Sequence, residues 1–216
     1  TQDGLPTNSI RDIAQSKDGD LIIACYNAGV VKYDGKTFKL FNNGLADKRV
    51  ILVTNGPDGS IWAGTESAGV GVLNDDQFKM VIDADGLGHN EIFSLHYDGK
   101  RMWAGTFGGG VSCLSDGLWY TMSQADGLAS SNVGAIISSK RKILLGGNNG
   151  LSIFEMNDAQ FALKFDKILT PKAEIPFQAS MSKLAGITND RFFMTANAMV
   201  YNPADAQVRY RYKTIK

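Results

Sequence analysis

His89 and His96 stand seven residues apart, with Glu91 between them. Two imidazoles beside a carboxylate are the groups from which proton transfer or a metal centre can be built. The seven-residue separation is not the i,i+4 spacing that puts two imidazoles on one helix face. His89 reads instead as a loop residue, and His96 as the end of the strand that follows. Cys25 and Cys113 are the only cysteines. They are too few for a disulfide scaffold and lack paired-cysteine metal spacing. The run Gly105-Thr106-Phe107-Gly108-Gly109-Gly110 has glycine enough to cradle a phosphate. Such a loop works at the start of a helix, and no helical period follows it. No nucleophile elbow or phosphate-loop motif is present. These residues predict no catalytic group, no metal and no cofactor.

Composition narrows the alternatives. The 216 residues are 44% hydrophobic and 20% charged, enough apolar surface to form a packed core. Lys plus Arg and Asp plus Glu are 22 each, so net charge gives no reason to expect a nucleic-acid or anionic-membrane partner. Within these residues no apolar window approaches the ~20 residues of a membrane-spanning helix, and no signal-peptide pattern appears. Glycine is frequent (24) and proline scarce (5), the balance of a chain with many tight turns between strands.

The elements that must position any site follow from an internal repeat. Gly-Leu occurs at 4–5, 44–45, 86–87 and 127–128, steps of 40, 42 and 41 residues. Asp-Gly falls at Asp18-Gly19, Asp58-Gly59 and Asp98-Gly99. The run Ile61-Trp62-Ala63-Gly64-Thr65 returns as Met102-Trp103-Ala104-Gly105-Thr106, with degraded forms at 21–25 and 143–147. Glycine recurs at Gly29, Gly69, Gly110 and Gly150, and an aromatic closes each copy at Phe38, Phe78, Trp119 and Phe161. In the first copy, Ile10 to Gln15, Leu21 to Tyr26, Val30 to Tyr33 and Thr37 to Phe41 read as four strands. The Asp-Gly pairs between runs predict hairpins, because type I′ turns need positive φ. Four hairpin-linked strands in about 41 residues is the spacing of a β-propeller blade. The predicted fold is therefore all-β, a β-propeller of four-stranded blades with about five repeats. The blades are placed at 1–41, 42–82, 83–123 and 124–167. Residues 168–216 form a degenerate fifth blade or the start of another domain. In that last part Phe192 to Ala196 aligns with the Trp-Ala-Gly-Thr run, and Asn197-Ala198 takes the place of the glycine turn. Residues 161 to about 180, with Pro171 and Pro176, read as irregular, and Val208 to Lys213 alternates like a strand.

The repeat assigns structural roles first. Gly64 and Gly105 let neighbouring blades pack closely, and Gly69 and Gly110 hold left-handed turns. Trp62 and Trp103 read as core between blades. Cys25 and Cys113 fall a blade apart, beyond the ~7 Å reach of a disulfide, and are expected as free, buried thiols.

The patterns Gly-Leu-Pro-x-Asn-x-Ile (Gly4 to Ile10), Asp-Gly-x-x-Trp-x-Gly-Thr (Asp58 to Thr65) and Gly-Gly-Val (Gly109 to Val111) resemble the two-component-regulator propeller repeat. The resemblance covers residues 1 to about 161. The tail around Tyr210-Arg211-Tyr212 resembles the opening of the Tyr-rich β-sandwich that often follows such propellers. This resemblance implies the extracytoplasmic, periplasmic sensor region of a bacterial membrane-bound signalling protein, with a histidine kinase, hybrid kinase or diguanylate cyclase as output. It implies a non-catalytic module that binds a small polar ligand, often a carbohydrate fragment, or relays contacts to neighbouring domains or a second subunit. Rings in the family often have seven blades. Five copies make either a small closed ring or a fragment of a larger one. A chain opening at Thr1, on a repeat boundary, is expected to be the fragment, with edge strands and an apolar blade face left to recruit a partner.

In a propeller the loops joining last to first strand and second to third strand gather on one face, and such loops carry function. After the Gly-Thr position stand Tyr26, Glu66, Phe107 and Asn148; before the first strands stand Asn8, Arg49, His89, Asn90 and Asn132. Aromatic faces beside amide and charged groups suit a sugar or another small polar molecule. These nine residues are the candidate ligand site. Two other functions fit the same fold: a scaffold that binds only protein, and a polysaccharide lyase or hydrolase. For the last, His89, Glu91 and His96 resemble the His-Glu-His arrangement of propeller lyases. They fall within one copy, however, whereas a channel site draws on several.

Overall fold

The structure, a computed structural model, describes residues 4–139, 141–157, 162–169, 179–187, 191–198 and 211–215. Its strands form five antiparallel sheets, each a simple meander. The first sheet comprises β1 (Ile10–Gln15), β2 (Leu21–Cys25), β3 (Gly29–Tyr33) and β4 (Phe38–Phe41). The second comprises β5 (Val50–Asn55), β6 (Ile61–Thr65), β7 (Val70–Asn74) and β8 (Gln77–Val81). The third comprises β9 (Ile92–Tyr97), β10 (Met102–Thr106), β11 (Val111–Ser115) and β12 (Leu118–Met122). The fourth comprises β13 (Val133–Ser139), β14 (Lys142–Gly147), β15 (Gly150–Asn157) and β16 (Ala162–Leu169). The fifth has three strands, β17 (Ala179–Ile187), β18 (Arg191–Ala198) and β19 (Arg211–Ile215). Among the described residues no helix is long and apolar enough to cross a membrane.

The first strands form an inner row. β1 lies beside β5, β5 beside β9, β9 beside β13 and β13 beside β17. The sheets therefore fan out from a common axis as propeller blades do. Among the described residues, no extensive strand contact joins the first sheet to the fifth.

Each blade hides its apolar faces against its neighbours. Ile22, Ala24, Val30 and Phe41 of the first sheet pack with Val50, Val53, Ala63 and Phe78 of the second. Trp62 and Val70 of the second pack with Ile92, Met102 and Ala104 of the third. Trp103, Val111 and Cys113 of the third pack with Val133, Ile136, Ile143 and Leu145 of the fourth. The leucines of the Gly-Leu pairs, Leu45, Leu87 and Leu128, plug these three interfaces. Both tryptophans are thus core between blades, as the repeat predicts. Truncating a side chain as deeply buried as Trp103 costs about 3–5 kcal/mol. On the outward face of the first sheet, Ile13, Leu21 and Leu40 remain exposed.

Close approach explains two glycines. A Cβ on Gly105 would lie 2.2 Å from the Val133 carbonyl oxygen of the next blade, and one on Gly64 would lie 3.0 Å from the Ile92 side chain. Gly69 and Gly110 take φ of 80° and 83°, the left-handed turns expected of them. Cys25 and Cys113 are buried free thiols.

Three local expectations need correction. Of the Asp-Gly pairs between strands, Asp58-Gly59 and Asp116-Gly117 have positive φ at both residues, whereas Asp18, Asp34 and Asp98 do not. At Asp34 and Asp98 the carboxylate instead accepts backbone N–H bonds from Lys36 and Thr37, and from Lys100 and Arg101. A side chain that mimics a turn carbonyl removes the need for a second positive φ. Asp75-Asp76 is a further two-residue turn with positive φ at both residues. Second, the first half of the stretch read as irregular is β16, because it pairs with β15 to complete the fourth sheet. Third, Asn197-Ala198 is not a turn but the end of β18, in register with Ser180 and Ala179. Phe161, Pro171, Pro176 and Tyr210 lie outside the described residues.

Candidate functional site

One local device recurs at the top of the inner row. Each of the first four inner strands carries a bulge near its start, at residues 11, 51, 93 and 134. A bulge leaves one residue unpaired and re-aims its side chain. Arg11 and Phe93 are two of these residues, and each packs on the residue that follows the Gly-Thr position of its own blade. The Arg11 guanidinium lies 4.4 Å from the Tyr26 ring centroid. The Phe93 and Phe107 ring centroids are 5.2 Å apart, tilted by 55°. Backbone bonds lock each pair of loops together: Glu66 N–H donates to Arg49 O, and Phe107 N–H to Glu91 O, each at 3.0 Å. The buried Thr65 and Thr106 hydroxyls donate to Gly69 O and Gly110 O and close the second-to-third-strand turns.

Two patches result. Over the first and second blades lies a charged network. Tyr26 Oη donates to Glu66 Oε2 at 2.9 Å, and Arg49 Nη1 reaches the same oxygen at 2.7 Å. Arg49 also binds Asp47 through Nε and Nη2, each at 2.9 Å. Ser67 joins in, accepting from Arg49 Nη2 and donating to Asp47 Oδ2, both at 2.8 Å. Burial alone would raise the Asp47 carboxyl, but the Arg49 guanidinium, its backbone N–H and the Ser67 hydroxyl together hold it below the usual carboxylate range. This network spans two blades and presents fixed charges and a phenol.

Over the third and fourth blades lies an aromatic and amide patch. Phe107 is 44% exposed, although Phe93 supports its ring. Beside it, Gly108 N–H donates to Asn132 Oδ1 at 2.7 Å. With its oxygen engaged, Asn132 offers Nδ2 hydrogens to a ligand. An exposed aromatic face next to an oriented amide can stack on an apolar ring face and donate to a hydroxyl.

The predicted site residues divide accordingly. Tyr26, Glu66 and Arg49 come together, as do Phe107 and Asn132. His89 is exposed, and its Nδ1 accepts from Glu91 N–H at 3.1 Å. Asn90 Oδ1 accepts from Asp83 N–H at 2.8 Å. Asn8 is exposed and Asn148 half-buried, and among the described residues neither joins either patch. The sequence reading missed Arg11, Asp47, Ser67 and Phe93. The repeat aligns Arg11 and Phe93, but only the bulge turns them onto Tyr26 and Phe107.

The structure separates the two imidazoles. His96 lies toward the far end of β9, where its Nε2 accepts from Ser138 N–H at 3.1 Å and meets Ser138 Oγ at 2.8 Å. Burial pushes its pKa below the ordinary value of 6.5. It is a neutral link between the third and fourth blades. Among the described residues, no group of three or more His, Cys, Asp and Glu side chains could hold a metal ion.

No family model matches the chain, and no curated protein matches it. Solved structures do. One is described as the extracellular domain of a hybrid two component system, BT3049, from B. thetaiotaomicron. It is 19% identical with a TM-score of 0.74, over 97% of this chain and 30% of that one. The corresponding domain of BT4673 from the same organism is 18% identical with a TM-score of 0.69, over 96% of this chain and 28% of that one. Virginiamycin B lyase from Staphylococcus aureus is 12% identical with a TM-score of 0.62, over 98% of this chain and 72% of that one. The chain spans less than a third of the length of the two extracellular domains. At these identities the likeness is one of fold: the chain is built of four-stranded β-propeller blades and shares that fold with these structures.

Proposed function

We propose that this chain is the propeller portion of an extracytoplasmic sensor in a bacterial membrane-bound signalling protein, and that it binds a small polar ligand without transforming it. The likeness of fold to the extracellular domains of hybrid two-component systems supports the setting. One observation carries the binding role: the exposed Phe107 ring, supported by Phe93, beside the oriented Asn132 amide. Stacking with amide donation suits a saccharide, whose ring has an apolar face and hydroxyl edges. The charged network around Arg49 and Glu66 gives the neighbouring stretch of the rim its polarity. Ligand binding would shift contacts with adjoining domains or a second subunit, to the extent that it binds one arrangement better than the other.

Thermal-shift screening of neutral and acidic oligosaccharides tests this reading. The expected result is stabilisation by at least one saccharide, lost in Phe107→Ala with the ligand-free midpoint unchanged. Absence of any shift across the panel counts against ligand sensing and favours a protein-binding scaffold. Turnover of a polysaccharide that disappears in His89→Ala would replace the sensor reading with a lyase or hydrolase.

A further inference from the structure

The outer strands of the first four blades differ in one respect. Each of the first four blades ends on an outer strand that no further strand pairs, and such an edge invites pairing with another chain, although in β8 Phe78 N–H already donates to Asn43 O. β4 carries Lys39 and β8 carries Lys79, in the same position relative to the preceding strand. β16 contains Lys164, Asp166 and Lys167. β12, Leu118-Trp119-Tyr120-Thr121-Met122, carries no charge, and Tyr120 stands where the other blades have Lys39 and Lys79. Leu118 is 62% exposed and Tyr120 42% exposed. On the other side of the strand, Trp119 lies beside Gly86 and Trp62, and Thr121 donates to Gly86 O, so that face belongs to the blade's own packing.

Self-pairing distinguishes these edges. An antiparallel pair centred on that position puts Lys79 opposite Lys79 in β8 and Lys39 opposite Lys39 in β4. Like charges directly opposite one another are destabilising. In β12 the same operation puts Tyr120 opposite Tyr120, Leu118 opposite Met122 and Trp119 opposite Thr121, with Asp116 against Gln124. That register sets no like charges opposite one another, its only charged residue being Asp116 against the neutral Gln124, and it is self-complementary across a two-fold axis, as an isologous interface requires.

We infer that β12 is a pairing edge for a second copy of this chain, joining two third blades edge to edge about Tyr120. A five-residue edge buries less than the ~1,200 Å² of a standard interface, so the dimer is weak and concentration-dependent.

Sedimentation velocity on the purified 216-residue chain over roughly 5–500 μM tests this. The wild type is expected to show reversible dimerisation. Tyr120→Lys, which restores the lysine of the other blades, should weaken it at least tenfold while leaving the circular dichroism spectrum and thermal midpoint unchanged. Leu118→Lys should do the same and serves if Tyr120→Lys does not fold. An equimolar mixture of Tyr120→Lys and Tyr120→Glu should associate again, because the two-fold sets residue 120 against residue 120. A wild type that stays monomeric throughout overturns the inference. So does a dimer that survives both lysine variants, or a mixture that fails to associate. A dimer broken instead by Ile13→Lys would assign the contact to the outward face of the first blade and overturn it as well.

Discussion

Gly105→Ala tests the physical basis of the blade spacing. The added Cβ would lie 2.2 Å from both the Val133 carbonyl oxygen and Ser94 Oγ, where real Cβ atoms keep at least 3.0 Å. The third and fourth blades must therefore separate locally by about 0.8 Å. Val133 O is backbone and cannot rotate aside. The shift also breaks the 3.0 Å bond from Ser94 Oγ to Val133 O. Overpacking of this kind costs about 1–3 kcal/mol and a lost internal hydrogen bond about 1 kcal/mol more. The chain entropy that a strand Gly→Ala change recovers offsets about 0.5–1 kcal/mol of this, so the expected loss is about 1–3.5 kcal/mol, or roughly 2–14 °C in Tm for a chain of this size. Gly64→Ala is the matched control, since Gly64 occupies the same strand position in the second blade. Its nearest contact is the Ile92 Cγ2 methyl at 3.0 Å, an overlap that a shift of a few tenths of an ångström relieves. Replacing a strand glycine by alanine also recovers about 0.5–1 kcal/mol of chain entropy, so this variant should be near neutral. Urea unfolding followed by tryptophan fluorescence reads both, because Trp103 is buried in the affected interface. Equal midpoints for the two variants would refute the reasoning.

Other outcomes follow from the same geometry. His96 is neutral in the fold, with a pKa below 6.5, so the unfolded chain takes up its proton first as pH falls. The stability it protects is complete above about pH 6.5 and is lost as pH drops through the folded value. The urea midpoint should fall between pH 7.5 and 5, and His96→Gln should flatten that dependence. Burial raises the pKa of both Cys25 and Cys113, so iodoacetamide should label neither in native protein and both in urea, read by mass spectrometry. Glu66→Gln should change stability by less than about 0.5 kcal/mol in urea titrations, because exposed ion pairs contribute little. Asp12→Ala removes the carboxylate that accepts Val53 N–H at 3.0 Å, and should cost about 1–2 kcal/mol by stranding that donor between the first two blades.

The repeat was legible in the sequence because every blade solves the same packing problem. A second strand covered on both faces needs an unbroken apolar run such as Ile61–Thr65, and a sheet pressed against its neighbour needs glycine at Gly64 and Gly105. These demands act locally and recur about every 41 residues, so residue types alone reveal the blades and their core. Positive φ at Gly69 and Gly110 is legible for the same reason. β16 was missed because its membership of a sheet depends on pairing with β15, and no turn signal marks it. The site was legible only in part. Loop position identified Tyr26, Glu66, Arg49, Phe107 and Asn132 as neighbours on one rim. The bulge that turns Arg11 onto Tyr26 and Phe93 onto Phe107 is a matter of strand register, set when two strands align and not by either strand alone. The fate of the two histidines was likewise decided in three dimensions: β9 carries His96 away from His89 and packs it, half-buried, against β13, where Ser138 fixes it as a neutral acceptor. Local composition sets which strands form, while which side chains meet depends on how those strands are registered and stacked.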